Sequence, residues 1–141
     1  MDNVLIDTDV IMDFFFDREP FVEHATEIFL LCENSTIKGF TTPVIISNVY
    51  YLLRKISKHE IIVEKLKQLL SIVDVLQMDK SIVIDALNSN FKDFEDALQN
   101  FSAINNGTIG TILTRNIKDF QSSKLASFTP EMYLKHRDCK L

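Results

Sequence analysis

The stretch Val4-Leu5-Ile6-Asp7-Thr8-Asp9 decides which fold this sequence predicts. Its first three residues form a short apolar run, the pattern of a strand that is buried on both faces of a sheet. Polar residues begin at Asp7, and the apolar residues after them fit the start of a helix at residues 9–17. Because parallel α/β sheets collect their functional groups at the carboxyl ends of strands, the stretch predicts an α/β protein with a site beside Asp7.

The rest of the chain alternates between strand and helix patterns. With 141 residues it is long enough for one domain, residues 1–141, around one core. Alternating strands and helices predict a central parallel sheet with helices on both faces, which is a three-layer α/β/α sandwich. The predicted strands are residues 3–6, 38–41, 72–76, 109–113 and 126–128, and the predicted helices are residues 9–17, 22–32, 43–56, 61–70, 81–87, 94–104 and a last one from Pro130.

Composition and charge narrow the class of protein. The net charge is −5, whereas proteins that bind nucleic acid through its phosphate backbone are usually basic. This balance argues against a simple nucleic-acid-binding module and less against a nuclease, whose acidic site needs a metal before it accepts a phosphate. No apolar run approaches the roughly 20 residues that span a bilayer, so no membrane association is expected. Cys32, in an apolar helical pattern, and Cys139, near the end, fit a reducing, cytoplasmic setting.

Three carboxylates follow the first predicted strand within seven residues, at Asp7, Asp9 and Asp13. A helix N-cap explains one of them, and Asp9 fits that position as well as Asp7 does. A cap needs only one side chain. We therefore expect a functional role for Asp7, which lies at the carboxyl end of the strand.

A second group of acidic residues, Asp93, Glu95 and Asp96, stands at the start of the helix predicted over residues 94–104. The helix dipole alone favours acidic residues in a first turn, and solvation is sufficient to explain Asp93. Asp96 directly precedes an apolar pair, where a purely solvated charge is less expected. We therefore expect a functional role for Asp96.

A third polar segment, residues 114–120, follows the strand predicted over residues 109–113. In a tight turn or one helical turn, Asn116 and Asp119 would face the same cavity. A plain turn is the alternative, because Asn and Asp are common turn residues. Arg115 and Lys118 suit either a phosphate backbone or a solvated surface. Carboxylates brought together in this way repel one another unless a cation is present, and Mg²⁺ and Mn²⁺ prefer oxygen ligands.

At these motifs the sequence resembles the PIN-domain family, small metal-dependent ribonucleases that include VapC-like toxins of toxin–antitoxin pairs. The resemblance covers nearly the whole chain. Each motif is moderately specific, and four in the expected order and spacing are a strong signal. Residues 5–13 resemble the family's opening, residues 42–51 its second motif, residues 93–99 its third, residues 114–120 its fourth and residues 129–131 its usual ending.

The resemblance implies a PIN-like fold and an endoribonuclease with Mg²⁺ or Mn²⁺ at its centre. Asp7, Asp96 and Asp119 would hold the metal, and Asn116 would be a further catalytic group. The metal would lower the pKa of a bound water and stabilise charge on the scissile phosphate. The residues expected to support this site are Thr8, Asp9, Asn48, Glu95 and Thr114, and those expected to contact RNA are Arg54, Lys55, Arg115 and Lys118.

The sequence departs from the family pattern at three positions. Asn48 stands where the second motif usually supplies a Glu, and Asn116 stands where the fourth usually supplies an Asp. Asp9 replaces an Asn of the opening. An amide oxygen can ligate a hard cation but brings no charge, so the two amides predict weaker metal affinity. The carboxylates of Asp9, Glu95 and Asp119 could restore the lost charge.

Two other functions compete with the ribonuclease. The two amides fit a domain that binds RNA or a protein without cutting, because metal sites are sensitive to ligand loss. Asp7-Thr8-Asp9 also resembles the opening of haloacid-dehalogenase-type phosphatases, although few residues remain after Thr114 for the later motifs of those enzymes. The PIN resemblance further implies an antitoxin partner, which would lay an apolar and basic helix into an exposed groove, and homodimerisation.

Overall fold

A computed structural model describes residues 1–140 and shows a five-stranded sheet in which every neighbouring pair is parallel. The strand order is β3-β2-β1-β4-β5, with β1 in the centre. The order reverses beside β1, which creates a crevice between the carboxyl ends of β1 and β4. The strands are β1 (Asp2–Ile6), β2 (Ile37–Thr41), β3 (Val73–Val75), β4 (Thr111–Leu113) and β5 (Ala126–Phe128).

Helices connect the strands and cover both faces of the sheet. Successive residues of a strand point to opposite faces. Val4, Leu5 and Ile6 of β1 are all buried, so neither face of the central strand meets solvent. The predicted three-layer α/β fold is confirmed. The helices are α1 (Thr8–Phe15), α2 (Val22–Glu33), α3 (Pro43–Arg54), α4 (His59–Leu70), α5 (Lys80–Leu87), α6 (Phe94–Asn106) and α7 (Pro130–Lys140), with a 3₁₀ helix at Ile117–Phe120.

The first helix begins earlier than the sequence pattern predicts. Helix α1 starts at Thr8, and its N-cap is Asp7, whose side chain accepts a hydrogen bond from the Thr8 N–H. The expectation that Asp9 could be the cap is therefore wrong, and Asp9 lies in the first turn of the helix. The helix also ends at Phe15 rather than near residue 17, where Asp17 has a positive φ of 49° that an α-helix does not allow.

Cys32 is buried in the core, as the sequence predicts. Its side chain is buried between α2 and the sheet, against Gly39 of β2. A Cβ atom at Gly39 would lie 2.7 Å from the Cys32 Sγ and 3.0 Å from a methyl carbon of Val73. Glycine is therefore required here for close packing of helix on sheet. Within residues 1–140, no helix has the length and apolar composition needed to cross a membrane.

Replacing Gly39 by Ala should lower the free energy of unfolding by about 1–3 kcal/mol, because the added methyl group overpacks the core. Urea unfolding measures the change. A matched control is Gly110→Ala, since no atom lies within 4 Å of a Cβ built there. Adding Cys32→Ala to Gly39→Ala should recover part of the loss, and additive losses in the double variant would contradict the proposed contact.

Candidate metal centre

An open cleft of about 610 Å³ lies at the carboxyl ends of β1 and β4. The start of α1, the middle of α3, the start of α6 and the segment after β4 all contribute to its walls. These elements bring together side chains that are far apart in sequence. The polar residues that line the cleft are Asp7, Thr8, Asp9, Arg18, Asn48, Tyr51, Lys55, Glu95, Asp96 and Asn116.

Asp7 joins the two strand ends at the bottom of this cleft. Its backbone N–H donates to the Leu113 carbonyl at 2.9 Å, which extends the pairing of β1 with β4 by one residue. Its Oδ1 accepts from the Thr8 N–H at 2.8 Å, and its Oδ2 accepts from the Thr114 hydroxyl at 2.9 Å. Both carboxylate oxygens are thus held in place by hydrogen bonds from neighbouring elements.

Asp9 holds the segment after β4 against α1. Its Oδ2 accepts from the Arg115 backbone N–H at 3.1 Å and from the Asn116 Nδ2 at 3.1 Å. Its Oδ1 is buried and has no hydrogen-bond partner among the residues described. A buried carboxylate oxygen without a partner carries a desolvation cost, so this atom is available to a cation or a water molecule.

Helices α3 and α6 form the opposite wall and are tied together. The Thr42 hydroxyl caps α3 by accepting from the Ile45 N–H and donates to Gln99 Oε1 of α6 at 2.6 Å. Further along α3, the Asn48 Nδ2 donates to Glu95 Oε2 at 3.0 Å. Asn48 therefore holds a carboxylate from α6 at the position where the family pattern predicts a carboxylate from α3.

Two acidic residues at the start of α6 occupy different structural positions. Asp93 is the N-cap, and its Oδ1 accepts from the Asp96 N–H at 3.0 Å. Asp96 is half-buried and lines the cleft. The expectation that Asp93 is solvated and Asp96 lies near the buried face agrees with these positions, although the capping bond of Asp93 was not predicted.

Asn116 and Asp119 do not share one wall of the cleft. Asn116 lines it, whereas Asp119 lies on the exposed side of the 3₁₀ helix and is not among the lining residues. The charge of Asp119 still acts on Asp7 and Asp96. Thr114 is fully buried and donates its hydroxyl to Asp7, so it holds the Asp7 carboxylate in place.

The basic residues expected to contact RNA have separate locations. Lys55 lines the cleft, Arg54 donates to the Ser57 carbonyl at the end of α3, and Lys118 lies in the 3₁₀ helix outside the cleft. The Arg115 guanidinium forms hydrogen bonds with Asp13.

Two polar residues of the cleft, Arg18 and Tyr51, and two apolar ones, Met12 and Leu52, were not predicted from the sequence. Arg18 lies in the turn after α1, a segment that the apolar periodicity does not cover. Tyr51 is largely exposed, with 65% of its surface accessible. Its position on α3, three residues after Asn48, could have indicated that both side chains share one helix face.

A sequence model of the PIN domain matches residues 3–118. The chain belongs to the PIN-domain family. Ribonuclease VapC1 of Aquifex aeolicus (strain VF5) is 27% identical over 137 residues, which cover 94% of this chain and 93% of the relative. The family assignment confirms the resemblance drawn from the four motifs.

Two solved structures share the fold of this PIN domain. One is a toxin–antitoxin complex from Klebsiella pneumoniae, with a TM-score of 0.67, 20% identity and coverage of 90% of this chain and 97% of that one. The other is VapBC2 from Rickettsia felis bound to a DNA fragment from its promoter, with a TM-score of 0.64, 17% identity and coverage of 90% and 98%.

Burial and like charge raise the pKa of three carboxyl groups in the cleft of this PIN domain, those of Asp7, Asp9 and Asp96. Burial raises the pKa of Asp7, although hydrogen bonds from Thr8 and Thr114 oppose the rise. Burial, followed by the charge of Asp7, raises the pKa of Asp9 to about 7. Burial and neighbouring carboxylates, Asp93 first among them, raise the pKa of Asp96 to about 7. A bound cation would offset each of these unfavourable effects.

The donor set fits a hard divalent cation. PIN domains are typically metal-dependent, and this cleft offers carboxylate and amide oxygens together with the unpartnered Asp9 Oδ1. Among residues 1–140, no three carboxylate, thiol or imidazole groups are close enough to form a closed metal cage. Such a cage is not required for Mg²⁺, which usually keeps several waters and binds through one or two carboxylates.

The metal-free PIN domain should lose stability as the pH rises through about 7. Burial, followed by the charge of Asp7, raises the folded-state pKa of Asp9 from the ordinary 3.8 to about 7. Its contribution to stability is therefore fully present below the unfolded pKa and is lost as the pH rises through the folded pKa. Between the ordinary pKa of 3.8 and the folded-state pKa of about 7, the titration of Asp9 should lower the free energy of unfolding by up to about 1.4 kcal/mol per pH unit.

Urea unfolding in EDTA at several pH values between about 5 and 8 measures this dependence. Asp9→Asn keeps a hydrogen-bond acceptor and removes one titrating group, so it should reduce the slope of the profile, while Asp7 and Asp96 account for the rest. The matched control is Asp85→Asn, an exposed residue of α5 that should leave the profile unchanged. Equal slopes in Asp9→Asn and wild type would contradict the assignment to Asp9.

Proposed function

We propose that this PIN domain is a Mg²⁺- or Mn²⁺-dependent endoribonuclease and the toxin of a toxin–antitoxin pair. The observation that carries the proposal is the convergence of Asp7, Asp9, Glu95 and Asp96 on one cleft at the switch point of the sheet. The similarity to a relative named Ribonuclease VapC1 supports it. Nothing in the cleft favours the phosphatase alternative, and the family assignment argues against it.

Asp7 and Asp96 would hold the ion, and Asp119 would add negative charge from the rim. The ion would supply a bound water of lowered pKa and would stabilise charge on the scissile phosphate. The protein keeps its carboxylates in position before any substrate arrives, since Asp7 accepts from Thr8 and Thr114. Thr8, which also lines the cleft, would orient a water or a phosphate oxygen.

The RNA strand would be attracted to the basic residues of the cleft. Lys55 and Arg18 both line it, and their positive charges would attract phosphates that the carboxylates would repel. Tyr51 is exposed beside them and packs edge-on against Tyr50 at a centroid distance of 5.0 Å. Such a supported aromatic side chain can stack on an unpaired base.

An antitoxin would cover the exposed apolar side chains next to this entrance. Leu52 and Ile56 lie near the end of α3, and Ile61 lies in the first turn of α4, all with large exposed fractions. An amphipathic helix could bury these side chains and extend a basic residue into the acidic cleft. Homodimerisation is a second proposed interaction, carried over from the family resemblance. We also propose a cytoplasmic location, from the two free cysteines.

The alternative function is a PIN domain that binds RNA or protein without cutting it. Asn48 and Asn116 favour it, because two amides replace carboxylates that the family pattern predicts in the cleft. Glu95, held by Asn48 at 3.0 Å, argues for retained activity because it returns one negative charge to that wall.

Asp7→Asn and Asp96→Asn should each abolish Mn²⁺-dependent RNA cleavage while the fold remains intact. Both amides are similar in size to the carboxylates but bring no charge to the ion. The assay compares Mn²⁺, Mg²⁺ and EDTA on single-stranded and structured RNAs, with Asp85→Asn as the exposed control and circular dichroism to verify folding. Full activity in both cleft variants would refute the metal assignment.

The same assay separates the two candidate functions. Cutting by wild type and by Asp85→Asn alone would support the ribonuclease. Mn²⁺ binding by calorimetry without cleavage of any RNA would favour the binding domain. An absence of both Mn²⁺ binding and cleavage would indicate that the amides at Asn48 and Asn116 have disabled the site.

Lys55→Ala should weaken RNA binding and lower the slope of log K against log salt by about 1, as expected when one phosphate contact is lost. Fluorescence anisotropy with an RNA oligonucleotide measures this in an Asp7→Asn background, so that cleavage does not interfere. Lys67→Ala is the matched control, because Lys67 is exposed on α4 and does not line the cleft. Equal slopes for the two Lys variants would count against a phosphate contact at Lys55.

A further inference from the structure

We propose that the buried ion pair between Asp13 and Arg115 is a positioning device for the metal centre. It would fix the turn at residues 114–116, and with it Asn116, against the Asp9 carboxylate. Its effect on metal binding rests on the proposed function, whereas its effect on the turn does not. Asp13 and Arg115 would act through Asp9 and Asn116 without contacting the ion or the substrate.

The pair has the geometry of a two-pronged, charge-assisted contact. The Arg115 Nε donates to Asp13 Oδ2 at 2.7 Å, and its Nη2 donates to Oδ1 at 3.1 Å. The side chain of Asp13 is 1% exposed, and that of Arg115 is 28% exposed. The guanidinium also lies 4.1 Å from the centre of the Phe21 ring. Paired hydrogen bonds and a stacked ring fix both the direction and the plane of the guanidinium.

The backbone of Arg115 connects this pair to the cleft. Its N–H donates to Asp9 Oδ2 at 3.1 Å, and the next residue, Asn116, donates to the same oxygen at 3.1 Å. Asp9 and Asp13 lie four residues apart on α1, so they occupy the same face of that helix. One helix face therefore holds the turn at two points, through the Arg115 side chain and through its backbone.

A contribution to stability alone does not explain why a charged pair occupies this position. A buried ion pair gains little over well-packed apolar residues, because both charges must leave water. Arg18 is a weaker partner, with its Nη1 3.8 Å from Asp13 Oδ1 and its side chain 44% exposed. What the Asp13–Arg115 pair supplies is a fixed orientation for the turn. The Arg115 guanidinium is consequently held by Asp13 and Phe21.

The test uses Arg115→Ala with added guanidinium. Removing the side chain should broaden or shift the side-chain amide NMR signals of Asn116 in the metal-free protein. It should also weaken Mn²⁺ binding, measured by calorimetry, by roughly 10- to 100-fold, the usual effect of losing an outer-shell partner of a metal site. Guanidinium chloride at a non-denaturing concentration should restore both quantities by occupying the place between Asp13 and Phe21, and sodium chloride at equal ionic strength should not.

Two further variants keep the test decisive. Arg115→Lys retains the charge without the fork, so it should fold and give an intermediate loss even if Arg115→Ala does not fold. Lys38→Ala removes a different ion pair, the one with Asp74 at 3.4 Å, which does not line the cleft. It should change neither the Asn116 signals nor the Mn²⁺ affinity.

The outcomes distinguish the positioning of the turn from the proposed metal-dependent function. Unchanged Asn116 signals in the folded Arg115 variants would overturn the positioning role. Perturbed signals that guanidinium does not restore would also overturn it, because they would indicate only a general loss of packing. If the wild type binds no Mn²⁺, the proposed metal-dependent function fails, and the Asn116 signals alone decide whether the pair positions the turn.

Discussion

The structure of the cleft depends on how Asp7 is held. Asp7 directly follows the central strand β1 and is the N-cap of α1, where its side chain accepts a hydrogen bond from the Thr8 N–H. It also accepts a hydrogen bond from the hydroxyl of Thr114, the residue after β4. One carboxylate therefore joins three elements at the point where the strand order reverses. Because β1 is buried on both faces of the sheet and the Asp7 N–H bonds to Leu113, the polar groups next to Asp7 lie together at the carboxyl ends of β1 and β4.

The junction is achieved at an electrostatic cost. Burial raises the pKa of Asp7, Asp9 and Asp96, and the charge of Asp7 adds to the rise at both Asp9 and Asp96. Hydrogen bonds from Thr8, Thr114 and the Arg115 backbone offset only part of this cost. Clusters of perturbed carboxylates are typical of functional sites. The physical consequence is a cleft that favours either protons or a divalent cation, which connects the fold to the proposed chemistry.

Each of the two walls of the cleft contains an amide that donates a hydrogen bond to a carboxylate. On the α3 side, Asn48 supplies an amide and holds the Glu95 carboxylate of α6, so the negative charge comes from a different helix. On the β4 side, Asn116 supplies an amide that is held by Asp9 of α1. In both cases an amide donates to a carboxylate that belongs to another element. The departures from the family pattern are therefore built into contacts between elements, and each amide lies against a carboxylate.

Much of the fold was determined by local sequence. The apolar runs before Asp7 and before Thr114 predicted buried strands, and their alternation with helical patterns predicted the parallel sheet, because burial on both faces requires continuous apolar residues. The motifs likewise indicated Asp7, Asp96 and Asn116 as members of one site. Tertiary structure alone decided that Asp7 is the cap, that Glu95 pairs with Asn48 and that Arg115 turns away from the cleft to Asp13. Periodicity reports which face of an element is buried, but partners distant in sequence are chosen only when the elements pack.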